Sequence, residues 1–346
     1  MEEKPPPGLR RRWFDIRRLS LLFLPAILIL ACQSATPNAI QYHAASPTAT
    51  KNRGESIRPG AVKGSPENDS WPPAIAAEWS TPIPLGAPVN TAGGEDSPFI
   101  TPDGDTLYFF FTPDVNIPAE KSILDGVTGI WMSRRSAGGW SEPERVPLEN
   151  PGQTALDGCE MMIGDRMYFC SVRAGNVKTI QWYYPTLKEG AWGNWTGAGQ
   201  WMNQNVDGEM HITTGYRDIY FASKRPSGLG GFDLWVAHST PDGWGVAENL
   251  GPQVNSAADE NRPFIGLDGQ ELWFDSSSRK GKPGPATFRC LRQADGTWGA
   301  CQEIISSFAG EPTLTGDGKT LYFIHHYYSA DLKQMIEADI YVSSRQ

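Results

Sequence analysis

Basic side chains are in deficit: 30 Lys and Arg face 39 Asp and Glu over 346 residues, a formal net charge of −9. No Lys/Arg cluster follows Arg18, so no nucleic-acid partner is expected, and anionic lipid headgroups would repel the body of the chain. Long apolar runs are missing but for one, Leu19 to Ala31, and about 13 residues falls short of the roughly 20 a spanning helix needs. The five cysteines include no CxxC pair, which excludes the usual zinc and dithiol redox spacings. The five histidines are scattered, so no metal site is expected. There is no G-x-S-x-G elbow, H-E-x-x-H helix, phosphate loop or dinucleotide fingerprint, and no cofactor is expected.

What is present begins with an internal echo. Residues 85–109 (LGAPVNTAGGEDSPFITPDGDTLYF) recur without a gap as 250–274 (LGPQVNSAADENRPFIGLDGQELWF), 165 residues later. Weaker copies lie at 161–169, 211–221 and 313–323. Aligning Phe99, Met161, His211, Phe264 and Thr313 gives steps of 62, 50, 53 and 49 residues, the length of a four-stranded propeller blade. Each copy reads as a β-hairpin closed by a Gly-containing turn. A third strand follows (Gly129-Ile-Trp-Met-Ser133, Asp233-Leu-Trp-Val-Ala237, Asp339-Ile-Tyr-Val-Ser343), then a fourth led by Gly-Trp at Trp140 and Trp244. The fifth copy ends after its third strand, and Trp79 to Gly86 looks like the missing fourth. The expected fold is therefore all-β: a five-bladed β-propeller of four-stranded antiparallel blades over 79–346, its last blade completed by the N-terminal strand near Trp79.

The pattern E-x-x-P-F-I-x-x-D-G-x-x-L-Y/W-F, then S-x-R, then G-G-x-D-L-W, resembles the TolB-like, WD-repeat-like β-propeller proteins of the bacterial envelope, over residues 79–346. The match departs at Gly129, where an Asp is usual, and in the third strands of the second and fourth repeats (Lys178 to Tyr184, Ala286 to Cys290). Such a resemblance implies the repeat type and leaves the ligand open.

The N-terminus reads as a secretory leader, residues 1–31, with Arg10, Arg11, Arg12, Arg17 and Arg18 ahead of the apolar run. Ile29-Leu30-Ala31-Cys32 resembles a bacterial lipobox, which implies acylation at Cys32. Residues 32–78, rich in Pro, Ser, Thr, Ala and Asn, read as a disordered tether. An extracytoplasmic, membrane-anchored lipoprotein is expected, a monomer held to the membrane through acyl chains on Cys32. An oxidising compartment permits two disulfides, Cys159–Cys170 and Cys290–Cys301, each across one hairpin.

Carboxylates recur where the first strands begin: Glu95, Asp157, Asp207 and Glu260, with Ala309 in the fifth copy. Two residues on stand Ser97, Cys159, Glu209, Arg262 and Glu311. Glu95, Asp157, Asp207, Glu209, Glu260, Arg262 and Glu311 are thus the candidate ligand-binding residues at a channel mouth, suited to a cation, sugar hydroxyls or a basic peptide. The same positions also suit a structural role, capping turns or pairing with Arg173, Arg225 and Arg279. Trp182, Tyr183, Tyr184, Trp192 and Trp195 form an aromatic cluster suited to stacking on sugar rings. The expected function is a non-catalytic binding or scaffolding module for an envelope protein or polysaccharide. The alternative is an arabinanase-like glycoside hydrolase using Glu95, Asp157 and Glu209, and the recurrence of Glu95 as Glu260 argues for repeat structure over catalysis.

Overall fold

A computed structural model describes residues 52–149, 155–173, 176–188, 191–277 and 284–346. The leader, Cys32 and Arg279 lie outside the described residues, as does the side chain of Trp195.

The chain is mostly β, folded into several sheets of antiparallel ribbons. The first ribbon comprises Gly94–Ile100, Thr106–Thr112, Gly129–Ser136 and the short Glu144–Arg145. The second comprises Ala155–Ile163, Arg166–Arg173, Asn176–Lys188 and Ala191–Gly197. Met210–Ile212, Asp218–Ser223, Asp233–Thr240 and Glu248–Asn249 make the third. Asp259–Ile265, Glu271–Ser277, Pro285–Leu291 and Gln302–Ser306 make the fourth. The last contains Ala309–Leu314, Thr320–Ser329 and Gln334–Ser344. Its fourth strand is Ile83–Pro84, paired Ile83↔Val342 and Pro84↔Tyr341, with Trp79 bridged to Arg345 and lying under its guanidinium.

Strands such as Thr106–Thr112 are buried on both faces because each ribbon is packed between neighbours, so apolar residues run consecutively instead of alternating. Phe109, Phe169, Phe221, Phe274 and Phe323, at one position of every second strand, are fully buried, each worth roughly 1.5–3 kcal/mol of transfer free energy.

An asparagine links each echo segment to the ribbon before it. Asn255 Nδ2 donates to the Leu234 carbonyl (2.9 Å), and its Oδ1 accepts from the Leu234 amide (2.8 Å). Asn90 does the same to Ile340, at 2.9 and 3.2 Å. The last ribbon is thus joined to the first by the clamp that joins the third to the fourth, and Ala338 and Gly94 add a parallel bridge there.

Three expectations are corrected. Cys290 and Cys301 are bridged, but Cys159 and Cys170 are not. A β-bulge between the Ile163–Arg166 pair at the turn and the cysteines sets Gly158, not Cys159, opposite Cys170. The extra residue turns Cys159 (φ 57°) out of the ladder. Residues 52–78, the described part of the expected disordered tether, are laid against the body instead, with Arg53 buried and Ala74–Ile75 extending the fourth ribbon by pairing with Ser306 and Ile305. Finally, the aromatic cluster is packing: Trp182 is buried, Tyr183 stacks on Phe169, and Tyr184 and Trp192 lie against the same core.

Candidate functional site

The first strands of all the ribbons converge on a small cavity of about 40 Å³. Beyond it, along the same strands, a larger cavity of about 690 Å³ opens among the hairpin turns. Four of the five strands are bulged at one position, with Ser97, Cys159, Arg262 and Glu311 at φ 48°, 57°, 54° and 55°. Left-handed backbone is costly for such residues and persists where surrounding structure enforces it. Here the repeated bulge re-aims side chains toward the centre.

The seven candidate residues therefore divide into two levels. At the outer level the carboxylates are each bound within their own ribbon. Glu95 accepts from the Thr91 amide (2.9 Å) and hydroxyl (2.6 Å), and Glu260 accepts from the Ser256 amide and hydroxyl at the same two distances. Asp157 accepts from Ser171 Oγ (2.5 Å) and faces Arg173 at 3.4 Å. Asp207 accepts from Ser223 Oγ and the Lys224 amide, both at 3.0 Å. Arg173 thus serves the acid of its own ribbon and Arg225 the serine that holds Asp207, and the two reach back to carbonyls of Leu148 (2.8 Å) and Asn205 (3.0 Å) on the incoming chain.

At the inner level charges are pooled. Arg262 lies 3.0 Å from Glu209 and 3.2 Å from Asp275, and also contacts Glu311. Burial opposes its charge, but Glu311, Glu209 and Asp275 outweigh burial and hold it firmly protonated. Burial pushes Glu209 up to about 8 and Asp275 to about 6, with Arg262 opposing in both cases. Asp96 and Glu160 are raised well above the usual carboxylate range, again chiefly by burial. Glu160, 6% exposed, lines the small cavity, and among the described residues neither carboxylate oxygen has a hydrogen-bond partner in another residue. At the outer level burial raises Glu95 to about 7 and Asp157 to about 6.

Sequence reading missed Asp96, Glu160 and Asp275 because their convergence requires the bulge, which no local pattern announces. It also missed His211, which lines both cavities, packs edge-on to Phe264 at 4.8 Å, and is kept neutral by burial with its pKa near 4.

The small cavity holds about three waters at most, whereas a sugar-sized ligand needs a pocket of roughly 300 Å³ or more. Glu95, Asp157 and Glu209, the residues of the hydrolase alternative, are engaged with Arg53, Arg173 and Arg262 respectively. Among the described residues no three His, Cys, Asp or Glu side chains are grouped so as to hold a metal ion. The larger cavity has a mixed lining. Asp103 and Asp268 there accept hydrogen bonds from their own turns. Arg292 is tied to the Tyr220 hydroxyl at 2.9 Å, and Arg217 is exposed.

No protein-family model matches the chain, and no curated protein matches it in sequence. Among solved structures it is similar to a TolB from Agrobacterium tumefaciens, with 19% identity over 70% of this chain and 72% of that one and a TM-score of 0.42. It is also similar to an α-L-arabinofuranosidase from Lactobacillus brevis (13% identity, 75% and 92% covered, TM-score 0.44). A third is an α-L-arabinofuranosidase from Podospora anserina (9% identity, 76% and 94% covered, TM-score 0.43). At these scores the likenesses carry no part of the functional argument.

Proposed function

We propose that this chain is a five-bladed β-propeller of an extracytoplasmic lipoprotein, acting as a non-catalytic binding module for an envelope polysaccharide or protein. Each ribbon is a blade, and the Asn90 and Asn255 clamps are equivalent contacts between successive blades. The observation that carries the binding reading is the contrast in free volume. The level that holds the acids has about 40 Å³, while the turn-lined mouth has about 690 Å³, and the three acids of a hydrolase mechanism are already neutralised by arginines. The ligand accordingly binds at the turn-lined mouth, near Arg217 and His211. The Cys290–Cys301 bridge is consistent with an oxidising compartment.

The test is a panel of envelope polysaccharides and envelope protein extracts applied to the purified chain, with binding and release of reducing ends followed together. Binding that weakens in Arg217→Glu without any release supports the reading. Release of reducing ends that disappears in Asp157→Asn would overturn it in favour of a hydrolase. Acyl-chain labelling of wild type against Cys32→Ser tests the anchor separately, with label expected on wild type alone.

A further inference from the structure

The second and third ribbons each end their second strand with Ser-x-Arg: Ser171-Val172-Arg173 and Ser223-Lys224-Arg225. In both, the serine binds the ribbon's outer acid. The arginine stacks on the second-strand phenylalanine and its cross-strand partner. Arg173 lies 5.5 Å from the Phe169 ring and 4.9 Å from Tyr183, and Arg225 lies 5.0 Å from Phe221 and 4.9 Å from Trp235.

The first ribbon has Phe111 and Pro113 at those positions, and neither can bind an acid. The place is filled from outside the ribbon. Arg53 reaches Glu95 (3.2 Å), the Val89 carbonyl (3.0 Å) and the Pro88 carbonyl. Its guanidinium lies 5.3 Å from the Phe109 ring and 5.5 Å from Trp131, the cross-strand partner of Phe109. The last ribbon, with Tyr327 in the arginine position and Ala309 in place of an outer acid, receives a cation from the same segment at its third strand. Lys63 contacts Glu337 and Asp339, and lies 6.0 Å from the Tyr327 ring, while the Gly64 amide donates to Glu337.

These are two cation pockets with aromatic walls and buried carboxylate floors, the arginine itself buried and the lysine partly open to solvent, so that cation–π attraction and ion pairing act on one group in each. They take side chains ten positions apart on a strap that opens with a helical turn, Arg53–Ser56. We infer that the mouth between the first and last ribbons is an acceptor site for a basic segment of a protein, one pocket for a guanidinium and one for an ammonium, and that residues 53–64 are its built-in occupant. A protein partner docking at this mouth must then carry a basic segment that displaces Arg53 and Lys63. The site lies at the opposite end of the first strands from the large cavity, and the inference does not depend on what that cavity binds.

The experiment uses the full chain in detergent and a fluorescein-labelled synthetic peptide of residues 50–66, with binding read by anisotropy. Arg53→Ala/Lys63→Ala protein should bind the peptide at least tenfold more tightly than wild type, whose own strap competes. A peptide with alanine at both basic positions should not bind. Equal binding to both proteins, or no binding to a double variant with native near-ultraviolet circular dichroism, overturns the inference. Should the double variant not fold, Lys63→Ala alone decides the question through hydrogen exchange. The Gly64 amide should exchange at least tenfold faster than in wild type, and an unchanged rate overturns the inference.

Discussion

The outer and inner charges of this molecule lie within one to three residues of one another on the same strands, yet they are neutralised by opposite arrangements. Asp157 is paired inside its own ribbon, through Oδ1, with Ser171 and Arg173. Glu209, from the third ribbon, and Glu311, from the fifth, share Arg262 from the fourth. An acid whose partners sit on the adjacent strand of one hairpin is a local matter, repeated wherever the hairpin repeats. An acid turned inward by a bulge meets whatever the other ribbons bring, and here they bring more carboxylates than cations. The outer acids therefore reinforce their own ribbons, Glu95 with Arg53 brought from outside, and the inner ones link ribbons distant in sequence.

Removing the shared cation should break this comparison most sharply. Arg262→Leu strands Glu209, Asp275 and Glu311 together in the interior, and about 3–5 kcal/mol of stability should be lost in urea unfolding. A loss under 1 kcal/mol would mean that the inner acids are already neutral without it. Arg173→Leu removes charge-assisted hydrogen bonding from one ribbon only and should cost about 1–3 kcal/mol. If it proves worse than Arg262→Leu, the distinction between local and pooled pairing fails.

The pH dependence sharpens the same contrast. Glu95, Asp157, Glu209, Asp275 and Asp339 have pKa values raised to about 7, 6, 8, 6 and 8 from ordinary values of 4.5 or 3.8, in each case first by burial. Between the two values the folded state holds more protons than the unfolded one, so stability falls as pH rises through that window. The melting temperature should be higher at pH 5 than at pH 8. Glu160→Gln, which removes a carboxyl with no hydrogen-bond partner in another of the described residues, should flatten that slope, and a slope left unchanged would show that Glu160 is compensated. The smallest effect is expected for Cys159→Ser, which keeps the bulge and forfeits only the thiol's contact with Cys170. It should shift stability by less than about 1 kcal/mol, whereas a loss of 2 kcal/mol or more would indicate a bridge between the two in solution.

How far the site was legible can be traced residue by residue. The matching Thr91–Glu95 and Ser256–Glu260 hydrogen bonds follow from the echo, because each spans four positions and closes its own turn. The seam at Ile83 and Val342 was legible from the tryptophan-led motif at Trp79, which repeats Trp244. The register at Cys159 was not, since a single inserted residue leaves the apolar pattern on either side intact. Arg53 left only a negative trace, the absence of Ser-x-Arg from the first ribbon, and nothing in residues 52–78 marks them as part of the body.

The sequence alone determined the strands, their hairpin turns, the order of the ribbons and the pairing of the N-terminal strand with the last one. The strands and turns depend on backbone preferences and apolar patterning within about ten residues, and the order and end pairing on the recurrence of one motif from repeat to repeat. Only the tertiary structure decided which acids share Arg262, which stay in their own ribbon, and that Arg53 and Lys63 complete the first and last ribbons. Such contacts depend on where strands about fifty residues apart bring their charges, and on the burial that makes each charge costly unless another lies within reach.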